Sequence, residues 1–274
     1  MCAIAVARRA TPMIRTTRPA AGVVVIAIDR PQRRNALDLD GFRALARAWM
    51  AVEDADDVRV SVVTGNGVDF CSGADLSSLS GEVAAAARAG DSVAGIWRDI
   101  HTAVLRNAPM TKPIICAVEG ICFGAGMELA GGTDIRIAEE SARFALPEVR
   151  HGLVASGGSL ARLARQIPYA AAMQLLLTGE PATATRMAEL GFLNEVVTPG
   201  RARERAIAIA RVIASNSPAA VRASKRAVRT GLAVDLEAAY VVEDQISREI
   251  MVGPEAVEGA RAFAARRSPS WRLE

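Results

Sequence analysis

Two carboxylates and two turns of small residues carry the chemistry open to this sequence. Glu128 lies in the stretch Gly120-Ile121-Cys122-Phe123-Gly124-Ala125-Gly126-Met127-Glu128-Leu129. An apolar run, Pro113 to Val118, feeds it and a helix-like run, Met127 to Ala130, leaves it, so a buried strand is expected to turn sharply into a helix start. Gly124 and Gly126 let another backbone or a ligand come close. The first helical turn offers unpaired N–H groups that favour negative charge. Amide donors beside a carboxylate are what enolate chemistry needs. The same residues also describe a tight turn whose Glu complements the helix dipole. A second such turn is Gly73-Ala74, within Phe70-Cys71-Ser72-Gly73-Ala74-Asp75-Leu76, and a second carboxylate, Glu148, follows Pro147. Backbone N–H groups from two turns can converge on one oxygen as an oxyanion hole, each contributing roughly 3–4 kcal/mol to the transition state. Two carboxylates across from it can act as acid and base if burial, or one charge on the other, keeps only one ionised.

Spacing excludes other chemistries. Gly124-Ala125-Gly126 starts like a dinucleotide fingerprint, but Leu129 stands where the third glycine belongs. There is neither a P-loop nor a GxSxG elbow. The two histidines, His101 and His151, lack zinc spacing, so no metal is expected. The cysteines Cys2, Cys71, Cys116 and Cys122 form no CxxC pair. Cys116 and Cys122 read as reduced core residues, which fits a cytoplasmic setting. Net charge is +3, and the only lysines are Lys112 and Lys225. The arginines are interleaved with acids, which argues against a nucleic-acid partner. No apolar run reaches the length of a membrane span. Ala- and Arg-heavy, Lys-poor usage points to a GC-rich bacterial genome.

The elements that must position these groups follow from periodicity. Val23–Asp29, Val58–Thr64, Pro113–Val118 and Asp134–Ala138 read as strands, with short strands near Phe144 and at Asn194–Val197. Leu39–Val52, the face Ile96, Ile100, Val104, and the runs 159–166, 169–177 and 183–190 read as helices. Residues 77–92, rich in Ser, Ala and Gly, read as a mobile, lid-like segment. From Arg201 onward the pattern is helical, over about 201–215, 218–230, 235–251 and 254–265. The chain is therefore of α/β class, with a core over 21–200 and a helical region over 201–274. That region is expected to pack on a partner subunit or on the chain's own core. Residues 1–20, basic and acid-free, are expected to be a flexible tail, with a transit peptide or a true start at Met13 as other readings.

At this point the chain resembles the crotonase (enoyl-CoA hydratase/isomerase) family from about Val23 to Trp271. The carrying segments are Arg30-Pro31 with Asn35-Ala36-Leu37, Phe70 to Leu76, Ala117-Val118-Glu119-Gly120 with Gly124 to Leu129, and Phe144, Pro147-Glu148 and Gly152. The resemblance implies a crotonase-like spiral of ββα units. It also implies a C-terminal α-helical oligomerisation region, a homotrimer or dimer of trimers, and an acyl-CoA substrate. Coenzyme A is then part of the substrate, and no separate cofactor is implied. By position, the N–H groups of Ala74 and Ala125 match the oxyanion hole, and Glu128 and Glu148 match the hydratase carboxylates. Ser72, Ala74, Asp75 and Leu76 lie where the family wraps CoA, with Arg33, Arg34 and Arg266 as arginines that can meet its phosphates.

The implied reaction is hydration of a 2-enoyl-CoA, or its reverse. Glu128, ionised, takes a proton from water and Glu148, protonated, delivers one to Cα; alternatively both act on one water. Other reactions of the family (isomerase, hydrolase, decarboxylase) and a non-catalytic CoA-binding role are the competing readings. Two departures bear on substrate choice. Ala125 stands where many hydratases have Gly, and Ala155-Ser156 stands where Pro-Gly is often found.

Overall fold

The computed structural model describes residues 13–89 and 93–271. The expectations for residues 1–12 and for the end of the lid-like segment, 90–92, lie outside the described residues. The chain opens with β1 (Ile14–Ala20) and β2 (Gly22–Ile28), then α1 (Leu39–Asp54), β3 (Val58–Gly65), α2 (Leu76–Arg88), α3 (Ala94–Ala103) and β4 (Ile114–Val118). Next come β5 (Ile121–Phe123), α4 (Ala125–Gly131), β6 (Ile135–Glu139), β7 (Arg143–Ala145), α5 (Ser159–Gln166), α6 (Tyr169–Thr178), β8 (Ala182–Thr183), α7 (Ala184–Glu189) and β9 (Glu195–Val197). Four helices finish the chain: α8 (Ala202–Ser215), α9 (Pro218–Gly231), α10 (Leu236–Met251) and α11 (Pro254–Ala264).

Two sheets result. The larger runs β1-β2-β3-β4-β6-β9, with β1 antiparallel to β2 and the other pairs parallel. The smaller runs β5-β7-β8. Alternation along the strands loads both faces of the larger sheet. Val24, Ile26 and Ile28 join the main core, together with Phe42, Leu45 and Trp49 of α1, whereas Val23, Val25, Val60 and Val62 face the other way. That second face is covered by α8 through Ala202, Ala206, Ala210 and Ala214. Their spacing of four puts them on one stripe, and their small size lets the helix lie close to the sheet. Asp38 starts α1, its carboxylate accepting from the Gly41 amide at 2.9 Å. Trp49 is fully buried and donates from Nε1 to the Ala103 carbonyl at 2.9 Å, tying α1 to α3. Among the described residues no helix is long and apolar enough to cross a membrane.

Three expectations change. Residues 14–20, expected as flexible tail, form edge strand β1, because the β-branched run Ile14, Thr16, Thr17 can pair with β2. The segment expected as a lid is helical through Arg88; its Ala84–Ala87 run favours helix, and Leu79 packs against the main core. The passage from β4 to α4 is not one sharp turn. The chain breaks at Glu119-Gly120 and adds β5, which leaves the larger sheet for the smaller one before α4 begins. The helices of the C-terminal region fall where periodicity puts them, and α8 packs on the chain's own core.

Candidate active site

The two small-residue turns meet. Cys71 pairs with Cys122 of β5, donating to the Ile121 carbonyl and accepting from the Phe123 amide, each at 2.9 Å. Three residues on, Leu37 pairs with Ala74: the Leu37 amide donates to the Gly73 carbonyl at 2.9 Å and the Asp75 amide donates to the Leu37 carbonyl at 2.8 Å. This register uses the Gly73 carbonyl and the Asp75 amide and leaves the Ala74 N–H without an acceptor among the described residues. Ala125 is the first residue of α4, so its N–H has no partner within the helix. A Cβ built on Gly73 would stand 3.5 Å from the Ala125 nitrogen, so the turns touch at these residues. Gly73 at φ 108° and Gly124 at φ 51°, ψ −123° hold backbone conformations that a side chain would strain.

The carboxylates stand beside these amides. Glu128, in the first turn of α4, is 5% exposed, and its Oε1 has no hydrogen-bond partner in the structure. Glu148 lies in a short 3-10 turn, Pro147–His151, and its Oε2 is also without a partner. A Cβ on Gly124 would meet Glu148 Oε1 at 3.2 Å, which puts that carboxylate against the turn opening α4. Burial raises the Glu128 carboxyl first, and the charge of Glu148 raises it further, from 4.5 to about 7. The amides of Ser159 and Gly157 and the guanidinium of Arg162 pull the other way. Glu148 is raised by burial, with its own backbone amide and His151 opposing. Two crowded carboxylates with one shared proton are the expected result. Burial first, and then the charge of Glu148, favours the neutral form of Glu128.

The remaining sequence candidates separate into groups. Ser72 donates from its amide to the Arg34 carbonyl at 3.0 Å and from Oγ to the Arg33 carbonyl at 3.5 Å, so the chain beside Arg33 lies against the Ala74 turn. Leu76 is exposed at the start of α2. Asp75 is different: its carboxylate accepts from Arg30 at 2.9 Å and from Ser77 at 2.7 Å. Ser77 lowers its pKa most, burial opposes, and Arg30 and the Ser78 amide add to the lowering. The Asp75 side chain is thus committed to the fold. Arg34 is committed likewise, to Asp69 at 3.0 Å. Arg266 lies beyond α11, exposed, and among the described residues no hydrogen bond or ion pair ties it to the other candidates. Cys71, Cys116 and Cys122 are free and buried, and burial pushes the Cys71 thiol up to about 12.

Sequence reasoning missed three contributors. Asn35, fully buried at φ 57°, accepts from the Arg30 amide at 2.8 Å and donates to Asn66 at 2.9 Å and Asp69 at 2.6 Å, pinning the loop that leads into Leu37. Gly157 makes room for Glu128: a Cβ there would overlap Oε2. Arg162 of α5 donates to the Glu128 carbonyl at 2.8 Å. A buried Asn signals itself only by sitting between Arg-Pro and a helix, and Arg162 looks like any other arginine in an amphipathic helix.

A family profile described as enoyl-CoA hydratase/isomerase matches residues 18–274. An enoyl-CoA hydratase of Mycobacterium tuberculosis is 38% identical over 251 residues, 91% of this chain and 92% of that protein. A mevalonyl-coenzyme A hydratase of Aspergillus fumigatus is 33% identical over 259 residues, 93% of each. The crystal structure of an enoyl-CoA hydratase from Mycobacterium marinum superposes with a TM-score of 0.86 at 36% identity, covering 96% of this chain and all of that one.

Proposed function

The chain belongs to the enoyl-CoA hydratase/isomerase family, and on that footing we propose that it adds water across the 2,3 double bond of a 2-enoyl-CoA, or removes it from a 3-hydroxyacyl-CoA. The observation that carries this reading is one cluster: two unpaired amides, Ala74 and Ala125, beside the buried Glu128 and the half-buried Glu148, each carboxylate with a buried oxygen that has no partner among the described residues.

The thioester carbonyl accepts from both amides, which draws electron density from Cβ and lowers the energy of the enolate. The pair of carboxylates holds one proton. The ionised member takes a proton from water as the hydroxyl adds to Cβ, and the neutral member gives its proton to Cα. The proton is thereby exchanged between the two carboxylates, and the sum is addition of one water. Glu128, the more deeply buried of the two and raised to about 7 by burial and by the charge of Glu148, is assigned as the acid, and Glu148 as the base. The Ser72 to Leu76 turn and Arg33 lie along the CoA side. The exposed apolar side chains Leu232, Leu236, Tyr240 and Phe263 of the last helices and their links fit assembly into a trimer, to be read by light scattering.

The test is a panel of enoyl-CoAs, beginning with crotonyl-CoA and extended to longer, branched and polar acyl groups. Loss of the enoyl absorbance with formation of the 3-hydroxyacyl-CoA is the expected result. A protein that leaves the whole panel unchanged, or only moves the double bond, does not have this function.

A further inference from the structure

The Glu128 carboxylate does not stand alone behind the site; Arg162 reaches the peptide groups around it. Nη2 of Arg162 donates to the Glu128 carbonyl at 2.8 Å, to Gly157 at 3.1 Å and to Val104 at 3.4 Å, while Nη1 donates to Leu105 at 3.2 Å. One guanidinium thus gathers three segments: α4 at its catalytic turn, the loop before α5, and the end of α3. The socket is cut for it. A Cβ on Gly158 would come within 2.6 Å of Nη2, and one on Gly132 within 3.0 Å of Nη1. Leu105 takes a left-handed conformation, φ 60°, to turn its carbonyl into this group. Gly157, clamped through its carbonyl, is also the residue with no room for a Cβ beside Glu128 Oε2.

We propose that Arg162 is a positioning residue: by clamping the carbonyls of Glu128 and Gly157 and placing a fixed positive charge behind α4, it sets where the Glu128 carboxylate stands and how firmly it holds its proton. This deepens the hydratase reading and rests on it for the role of Glu128. Two charged groups act on Glu128, Glu148 from the 3-10 turn and Arg162 from α5, with the amides of Ser159 and Gly157 beside them. Around Arg162 stand Arg106, Arg136 and Arg229, which disfavour its charge, and Glu128, which favours it, while burial lowers its pKa overall. Arg162 favours the ionised carboxylate and Glu148 disfavours it, so removing the guanidinium leaves only the Ser159 and Gly157 amides against the repulsion, and Glu128 keeps its proton to higher pH.

The experiment reads that proton without turnover. In full-length protein labelled with 13C at the glutamate δ-carbon, the resonance lost in Glu128→Gln belongs to Glu128. Its titration is followed in the wild-type chain, in Arg162→Lys and in Arg162→Gln. The midpoint is expected to rise in Arg162→Gln and to rise less in Arg162→Lys, which keeps the charge. On an enoyl-CoA that the wild type hydrates, kcat falls roughly 10- to 100-fold in Arg162→Gln, the scale of a misplaced catalytic group, with KM little changed and partial recovery in Arg162→Lys. An unmoved midpoint in a folded Arg162→Gln protein overturns the inference. So does a variant that loses thermal stability while the folded fraction keeps wild-type kcat and midpoint. Should Arg162→Gln not fold, Arg162→Lys decides: wild-type kcat with a wild-type midpoint overturns the clamp. Because the titration needs no turnover, an unmoved midpoint defeats this inference whatever the protein hydrates. Failure on the enoyl-CoA panel defeats the hydratase reading whatever the midpoint does.

Discussion

The amide half of the candidate site and its carboxylate half are built by different means. Ala74 and Ala125 present backbone groups, fixed by the Leu37–Ala74 and Cys71–Cys122 pairings and by the start of α4. Their side chains are incidental to the donors. Glu128 and Glu148 present side chains kept in place by burial, by missing Cβ atoms at Gly157 and Gly124, and by mutual repulsion. The first half is organised by strand register and so tolerates changes of side chain at Ala74 and Ala125, while Gly73 and Gly124 are held to glycine by their positive φ. The second is organised by exclusion, so single methyl groups and single charges matter there.

The comparison is broken most directly at the carboxylates. Glu128→Gln and Glu148→Gln are each expected to lower kcat by roughly 10²–10⁴, the range for acid–base groups, with acyl-CoA affinity retained in equilibrium binding. A near-wild-type rate in either variant removes that residue from the mechanism.

Next comes the cost of burying the Glu128 charge. A carboxyl raised from 4.5 to about 7 in the folded chain contributes stability below its unfolded pKa, and that contribution is lost as pH rises through about 7. Glu128→Gln should therefore gain on the wild type as pH goes from 4 to 9, by something on the order of 3 kcal/mol in denaturant melts. A pH-independent difference between the two proteins contradicts the raised pKa. In kinetics, the alkaline limb of kcat/KM should fall near 7, where Glu128 loses its proton in the free enzyme. The limb in kcat should lie higher, because bound thioester excludes water and disfavours the charge further.

A smaller effect is expected at Gly157. Gly157→Ala forces the Glu128 carboxylate aside, and kcat should drop roughly 10- to 100-fold with KM nearly constant. Unchanged kcat would mean that the carboxylate has more freedom than its contacts indicate.

The smallest effect belongs to the amide half. Ala125→Gly keeps the N–H donor, and kcat should stay within about threefold on a short enoyl-CoA, because the donor and not the methyl stabilises the oxyanion. A large change would make the Ala125 side chain part of substrate choice, and the contrast between the halves would fail there.

Much of this was legible before any coordinates. Period-two and period-3.6 patterns marked the main strands and helices, because burial on one or two faces imposes those periods on any chain. The Gly-Ala turns and the two glutamates were also legible, since steric freedom and an ionisable oxygen are properties of residue type. Short β5 and β8 were missed; two or three residues carry no period, and their pairing partners are remote in sequence. Residues 14–20 depended on a neighbour too, since β1 is a strand only because β2 is there to pair with it.

By itself the sequence determined which groups are available: two glutamates, two small-residue turns with free amides, and a core large enough to bury them. Only the tertiary structure decided how those groups behave. It brought the turns together through the Leu37–Ala74 and Cys71–Cys122 bridges, assigned Asp75 and Arg34 to holding the fold, and set Arg162 behind Glu128. The reason is physical. A residue's chemistry is local, but desolvation, repulsion between carboxylates and the clamp on a carbonyl depend on distances between segments far apart in the chain, and those distances exist only once the chain has packed.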